Sequence, residues 1–191
     1  MRKLVLFMHM SLDGYASDSN GGLGWIPYTE ELQAYADEVV AEVGSPVYGR
    51  ATYRLMEGYW PTVLDDPNAS QHSRDHARWV QDVQKIVISR SMDKAEWNNT
   101  VLIKDNIEER IRALKDQPGK NLVIFGSPGA AKTLLRLGLI DECLLTICPV
   151  ILGGGLSVFD GGGETIKLSL LSSRTLQSGI IAARYELIKS S

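Results

Sequence analysis

Short aliphatic runs alternate along the chain with stretches whose apolar residues recur every three or four positions. Arg2 to His9 is dense in Leu, Val and Phe, so it predicts a strand covered on both faces. A polar, glycine-rich loop follows from Ser11 to Tyr28. Thr29 then has the character of an N-cap, with Glu30 and Glu31 suited to the positive end of a helix dipole. Leu32, Tyr35, Ala36 and Val39 follow at helical spacing, and Gly44 is expected to end that helix. A short strand around Pro46 to Tyr48 leads into a helix beginning at Gly49-Arg50-Ala51-Thr52-Tyr53. Trp60 to Asn68, with two prolines and two aspartates, reads as a loop.

Ala69 to Val83 is expected to be helical and Lys85 to Ser89 a buried strand. Asn106 to Gln117 reads as a helix capped by Asn106, with Glu109 completing a capping box and Ile107, Ile111 and Leu114 facing inward. Pro118-Gly119 turns into the strand Asn121 to Phe125. Ser127 caps the next helix, Pro128 takes its first position and Gly138 closes it. Asp141 to Val150 is another apolar strand. Gly153-Gly154-Gly155 and Gly161-Gly162-Gly163 bracket a short turn. Ser172 to Gln177 and Ile180 to Ile188 flank Ser178-Gly179 as an antiparallel hairpin. The order predicts one α/β domain over residues 1–191, with a mostly parallel sheet, helices on both faces and a terminal hairpin.

Composition agrees with a globular protein: 191 residues, 44% hydrophobic and 23% charged. A formal charge of −3 gives no global reason to bind nucleic acid or an anionic membrane. The first apolar run is too short for a membrane span, and Ser11-Leu12-Asp13-Gly14-Tyr15 is a poor signal-peptide cleavage region, so a buried strand is the better reading. Cys143 and Cys148 lie five residues apart in one expected strand. They would face opposite sides and could not pair, which suits a reducing cytoplasm.

Parallel sheets bind ligands at the carboxyl ends of their strands. Three junctions have that form: Tyr48-Gly49-Arg50-Ala51-Thr52, Ile88-Ser89-Arg90-Ser91 and Phe125-Gly126-Ser127-Pro128-Gly129-Ala130. Together they offer backbone N–H groups, hydroxyls and guanidinium groups for a diphosphate and a further phosphate. Residues Gly126 to Thr133 also approach the P-loop pattern. Ala131 stands where that pattern has its second glycine, however, and Pro128 removes an N–H from the cradle. A P-loop-like site, or a nucleotide-binding module without catalysis, is the competing reading.

Five stretches carry a family resemblance. They are Met10-Ser11-Leu12-Asp13-Gly14, Gly24-Trp25-Ile26, Gly49-Arg50-Ala51-Thr52-Tyr53, Val123-Ile124-Phe125-Gly126-Ser127 and Cys148-Pro149-Val150-Ile151-Leu152-Gly153-Gly154-Gly155. In this order the chain resembles the dihydrofolate reductase superfamily, and within it the RibD C-terminal type of reductase domain, closest to its stand-alone members. The resemblance implies a three-layer α/β/α fold, NADPH as cofactor and a homodimer. It implies that Gly49, Arg50 and Thr52 face cofactor phosphates, with Ser89 and Arg90 near the adenosine 2′-phosphate. Gly126, Ser127, Gly129 and Ala130 would wrap the diphosphate. Pro149 to Gly153, including Leu152, would border the nicotinamide and substrate. The pathway enzymes join this domain to a zinc deaminase. No His-x-Glu with Pro-Cys-x-x-Cys occurs here, and three scattered histidines with two cysteines cannot form that zinc site.

The activity so implied is hydride transfer from NADPH to an electrophilic carbon of a pyrimidine- or pterin-type heterocycle or its sugar, 5-amino-6-(5-phosphoribosylamino)uracil of riboflavin biosynthesis among them. A proton must also arrive. Asp13, beyond the first strand, is the first candidate donor and Glu31 the second. Trp25 and Pro149 are expected at the substrate pocket.

Overall fold

The computed structural model describes residues 1–159 and 165–188, so Gly161-Gly162-Gly163 lies outside the described residues. Its centre is strand β1 (Leu4–Ser11), paired in parallel with β6 (Asn121–Phe125) and β7 (Glu142–Cys148). The alternation of a strand divides its side chains between two layers. Leu4, Leu6 and Met8 pack with Ile111 and Leu114 of α4 (Ile107–Asp116) and with Ala131 and Leu134 of α5 (Pro128–Arg136). Val5 and Phe7 meet Tyr35, Ala36 and Val39 of α1 (Glu30–Glu42).

Around this centre lie β3 (Val43–Gly49), β4 (Lys85–Ile88), β5 (Thr100–Ile103), β9 (Leu168–Thr175) and β10 (Ile181–Leu187). The sheet runs β5-β4-β3-β6-β1-β7-β10-β9. Every pairing is parallel except β7 with β10 and β10 with β9. This is the α/β architecture expected, terminal hairpin included. Edge strand β9 is exposed at all its positions. Cys143 and Cys148 are buried, free and placed in different core clusters. Among the described residues no helix is long and apolar enough to cross a membrane.

Several local expectations give way. Thr29 caps α1, its Oγ1 accepting from Leu32 N–H at 3.2 Å, but the helix runs straight into β3 and Gly44 lies inside that strand. Helix α2 (Arg50–Asp65) continues through Pro61, where a loop was expected. Against the roughly 3 kcal/mol cost of an interior proline stand buried Val63 and the Trp60 ring, 4.3 Å from that of His76 on α3 (Gln71–Asp82). Strand β5 has four residues and passes unnoticed in the sequence. Asn106 precedes α4 at φ 46° and its side chain makes no cap bond, so the expected capping box is absent; Glu108 and Glu109 occupy the first turn instead. Within the presumed 11–28 loop, β2 (Tyr15–Ser17) pairs with β8 (Leu156–Ser157). Gly155 allows this approach: at φ +136°, a Cβ there would lie 1.9 Å from the Ser17 carbonyl oxygen.

Lys85 is wholly buried at the start of β4. Its Nζ donates to the carbonyls of Val80 (2.7 Å), Val83 (2.9 Å) and Gln81 (3.3 Å), closing the C-terminus of α3. Burial pushes its pKa down to about 8. Lys85→Met should therefore leave these carbonyls unmet and lower stability by about 2 kcal/mol, read by urea unfolding. A second effect concerns His9 at the end of β1, whose pKa burial lowers to about 4. The unfolded chain binds that proton more readily, so stability should fall as pH drops from the ordinary histidine value of about 6.5 towards 4, on the order of 3 kcal/mol for this group. Unfolding midpoints between about pH 7.5 and about pH 4.5 should change less in His9→Gln than in the unsubstituted protein.

Candidate active site

Strands β3 and β6 are neighbours, with Val47 opposite Ile124, so the helices that follow them start side by side. The Gly49 N–H donates to Ser127 Oγ at 2.8 Å, and Thr52 Oγ1 donates to the Gly126 carbonyl at 3.4 Å. A Cβ on Gly49 would sit 3.2 Å from Ser127 Oγ and 3.7 Å from Ala130 N. Ser127 thus spends its hydroxyl on the neighbouring junction and does not cap its own helix as expected.

The other helix starts are satisfied differently. Thr29 caps α1 and Ser70 caps α3, while Glu108 and Glu109 face the dipole of α4. Neither α2 nor α5 has a side-chain cap bond or an acidic residue in its first turn. Two unneutralised helix N-termini therefore meet at one point, an arrangement that favours an anion. Gly49, Arg50, Thr52, Gly126, Ser127, Gly129 and Ala130 all gather there. Arg50 is exposed, as is Arg90 beyond the neighbouring strand β4, and among the described residues neither guanidinium has a protein partner. Ser89 is buried, its Oγ accepting from Met92 N–H at 3.2 Å.

The P-loop reading does not survive this geometry. Only Gly126 and Ser127 separate β6 from α5, and Ala131-Lys132-Thr133 lie inside the helix, with Ala131 fully buried. No loop is left to encircle a phosphate.

The two carboxylates expected to donate a proton instead hold loops. Asp13 accepts from Leu152 N–H (3.1 Å) and Gly153 N–H (2.8 Å), tying the segment after β1 to the segment after β7. The Ser11 hydroxyl and these backbone donors hold its pKa below the usual carboxylate range, which disfavours the protonated form a donor needs. Glu31 accepts from Gln177 N–H at 2.6 Å and so anchors the hairpin turn. Trp25 donates its indole N–H to the Gly22 carbonyl at 3.2 Å and packs with Val150 against Ile26, Leu32 and Leu176. Pro149 is exposed beside Gly179. None of Asp13, Glu31, Trp25, Pro149, Leu152 or Gly153 lines the cavity described next.

That cavity, of about 340 Å³, opens between β1, α1, α2 and α3, and Thr52 and Gly126 join it to the helix-terminus junction. Its wall is mainly aromatic and aliphatic. All three histidines of the chain, His9, His72 and His76, line it. His72 Nδ1 lies 2.9 Å from Asp37 Oδ2 at the half-exposed rim. His76 stacks on Trp60 and meets Trp79 and Phe125, and burial pushes its pKa down to about 4. His9 Nδ1 bonds Thr146 Oγ1, whose hydroxyl lies 3.5 Å from the Met8 carbonyl it donates to. With Nδ1 bonded to Thr146, His9 Nε2 is the ring nitrogen left for a further hydrogen bond, as donor or acceptor according to the tautomer. The histidines are what sequence reading missed. Their available signals were a histidine ending the first strand and a pair at i, i+4 on an amphipathic helix. Among the described residues no three His, Cys, Asp or Glu side chains gather as metal ligands.

Comparison with known proteins agrees with this frame. The uncharacterized protein YyaP of Bacillus subtilis is 30% identical over 184 residues, covering 96% of this chain and 94% of that one. A solved protein from Shewanella sp. PV-4 superposes with a TM-score of 0.75 at 21% identity, over 98% and 99% of the two chains. Dihydrofolate reductase from Enterococcus faecalis, complexed with NADP(H), superposes with a TM-score of 0.61 at 14% identity, over 98% and 97%. The model of the RibD C-terminal domain matches residues 2–182, and with it the sheet order and the paired helix starts have a common explanation: the chain belongs to the RibD C-terminal domain family.

Proposed function

We propose that the protein is an NADPH-dependent reductase of a small heterocyclic substrate. One observation carries this reading: two uncapped helix N-termini converge beside exposed Arg50 and Arg90 and open directly into an aromatic cavity. The residues suit a phosphorylated dinucleotide. The starts of α2 and α5, with Gly49, Gly126, Ser127 and Gly129, would hold the diphosphate on backbone N–H groups. Arg50 and Arg90, with Ser89 shaping the turn, would hold the 2′-phosphate bidentately. The missing Cβ at Gly49 leaves the backbone accessible where a side chain would press on Ser127.

Bound NADPH supplies a hydride equivalent. That hydride would go to the carbon of a ring C=N bond, whose nitrogen would take its proton from solvent. The chain's own part is to position the ring and exclude bulk water. Asp13 does this indirectly, by fixing the Leu152–Gly153 backbone, and Glu31 by fixing the hairpin. The proton enters at the rim, where His72 and Asp37 meet solvent.

NADPH should bind with a dissociation constant in the micromolar range, seen as enhanced nicotinamide fluorescence. Failure to bind at high micromolar cofactor would sink the reading, and binding without turnover of any reducible heterocycle would favour the non-catalytic module. Arg50→Ala and Arg90→Ala should each weaken NADPH by about tenfold or more while changing NADH far less. Equal losses for both cofactors would move these arginines to the diphosphate. Lys132→Ala should leave NADPH affinity unchanged.

A further inference from the structure

The cavity's lining contains polar groups but no Asp, Glu, Lys or Arg side chain among the described residues. Its polar side-chain atoms belong to histidine, tyrosine, serine, threonine, glutamine and the Trp60 indole, whose N–H donates to Met56. Two of the histidines are held neutral by burial, so neither can balance an anion at neutral pH. Apart from Arg50, assigned above to the cofactor, the arginines on the surrounding helices are already engaged: Arg54 with Glu57, Arg78 with Asp75, and Arg74 with the carbonyls of Asp66 and Pro67. At the rim, Asp37 of α1 faces His72, and its carboxylate would repel an anionic tail. On α3 itself the titratable neighbours of His72 are His76 and Asp75, the latter engaged by Arg78 and Gln71, and α2 turns Met56 and Trp60 towards the space. An unpaired anion taken into such a wall loses its hydration with no compensation.

The same wall is suited to a flat neutral ring. Trp60, Phe125 and Phe7 supply aromatic faces. Among the described residues His76 makes no hydrogen bond to protein, its ring nitrogens are not sealed from solvent, and the residue lines the cavity. A neutral imidazole there presents one donor and one acceptor. His9 Nε2, the ring nitrogen not bonded to Thr146, adds a further hydrogen-bonding group from β1.

Building on the reductase reading above, we infer that this cavity takes an uncharged planar heteroaromatic compound carrying no phosphate or carboxylate, whose hydrogen-bonding edge is read by His76 and His9. Among the described residues that line the cavity, a phosphoribosylated pyrimidine would find no Lys or Arg for its phosphate outside the groups assigned to the cofactor.

The test uses a matched pair of probes, 6-methylpterin and 6-carboxypterin, followed by quenching of tryptophan fluorescence with and without saturating NADP⁺. The neutral probe should bind at least about tenfold more tightly than the carboxylate. His76→Phe should lose that binding by about tenfold while keeping NADPH affinity and the unfolding midpoint; His76→Gln, which retains a donor and an acceptor, should recover part of it. Equal or tighter binding of 6-carboxypterin overturns the inference. So does binding of 5-amino-6-(5-phosphoribosylamino)uracil with neither pterin bound, or failure of both pterins in the two conditions. Loss of cofactor binding alone, with the neutral preference intact in the cofactor-free protein, would strike the reductase reading and leave this one standing.

Discussion

The hydrogen bond from the Gly49 N–H to Ser127 Oγ ties together two segments 78 residues apart and thereby places two helix N-termini at one spot. Much of the candidate chemistry depends on it. In a parallel sheet the strands deliver their helices at a common edge, so neighbouring β3 and β6 necessarily start α2 and α5 together. What is particular here is that Ser127 gives its hydroxyl to the neighbouring junction and not to its own helix. Both dipole ends then stay free to meet negative charge from a ligand.

The cavity is the second consequence of that edge. Phe7 and His9 come from β1, Phe125 from β6, and the helical wall from α1, α2 and α3. Asp37 and His72 bridge α1 to α3, and the Trp60–His76 stack bridges α2 to α3. Among the described residues no Asp, Glu, Lys or Arg side chain lines the enclosed aromatic space, whereas the junction beside it is rich in N–H donors and guanidinium groups. The division separates a region suited to phosphates from one suited to a neutral ring, within a single groove.

Carboxylates that looked catalytic have become struts. Asp13 and Glu31 each accept backbone N–H groups from distant segments, at Leu152–Gly153 and at Gln177. An acidic residue placed after a first strand or in a first helical turn has the same local sequence whether it faces a substrate or a loop. Only the arrival of a chain segment from some 140 residues away distinguishes the two.

Elements whose stability is local were legible in the amino-acid order. The buried strands, the Thr29 cap, the α4 and α5 periods and the Ser178-Gly179 hairpin rest on runs, caps and turns that neighbouring residues define. The junctions at Gly49 and Gly126 were legible as well, because each is a contiguous strand–turn–helix segment, whereas the chain after β4 passes Ser89 and Arg90 to β5 with no helix between. Elements held up by remote contacts were not: α2 persists through Pro61 by packing on α3, β5 is only an edge added to β4, and β2 exists because β8 comes alongside. The three histidines looked scattered at positions 9, 72 and 76, and the fold alone gathers them around one cavity. The physical reason is that backbone propensity acts over a few residues, while a binding wall is assembled from side chains that only tertiary packing brings together.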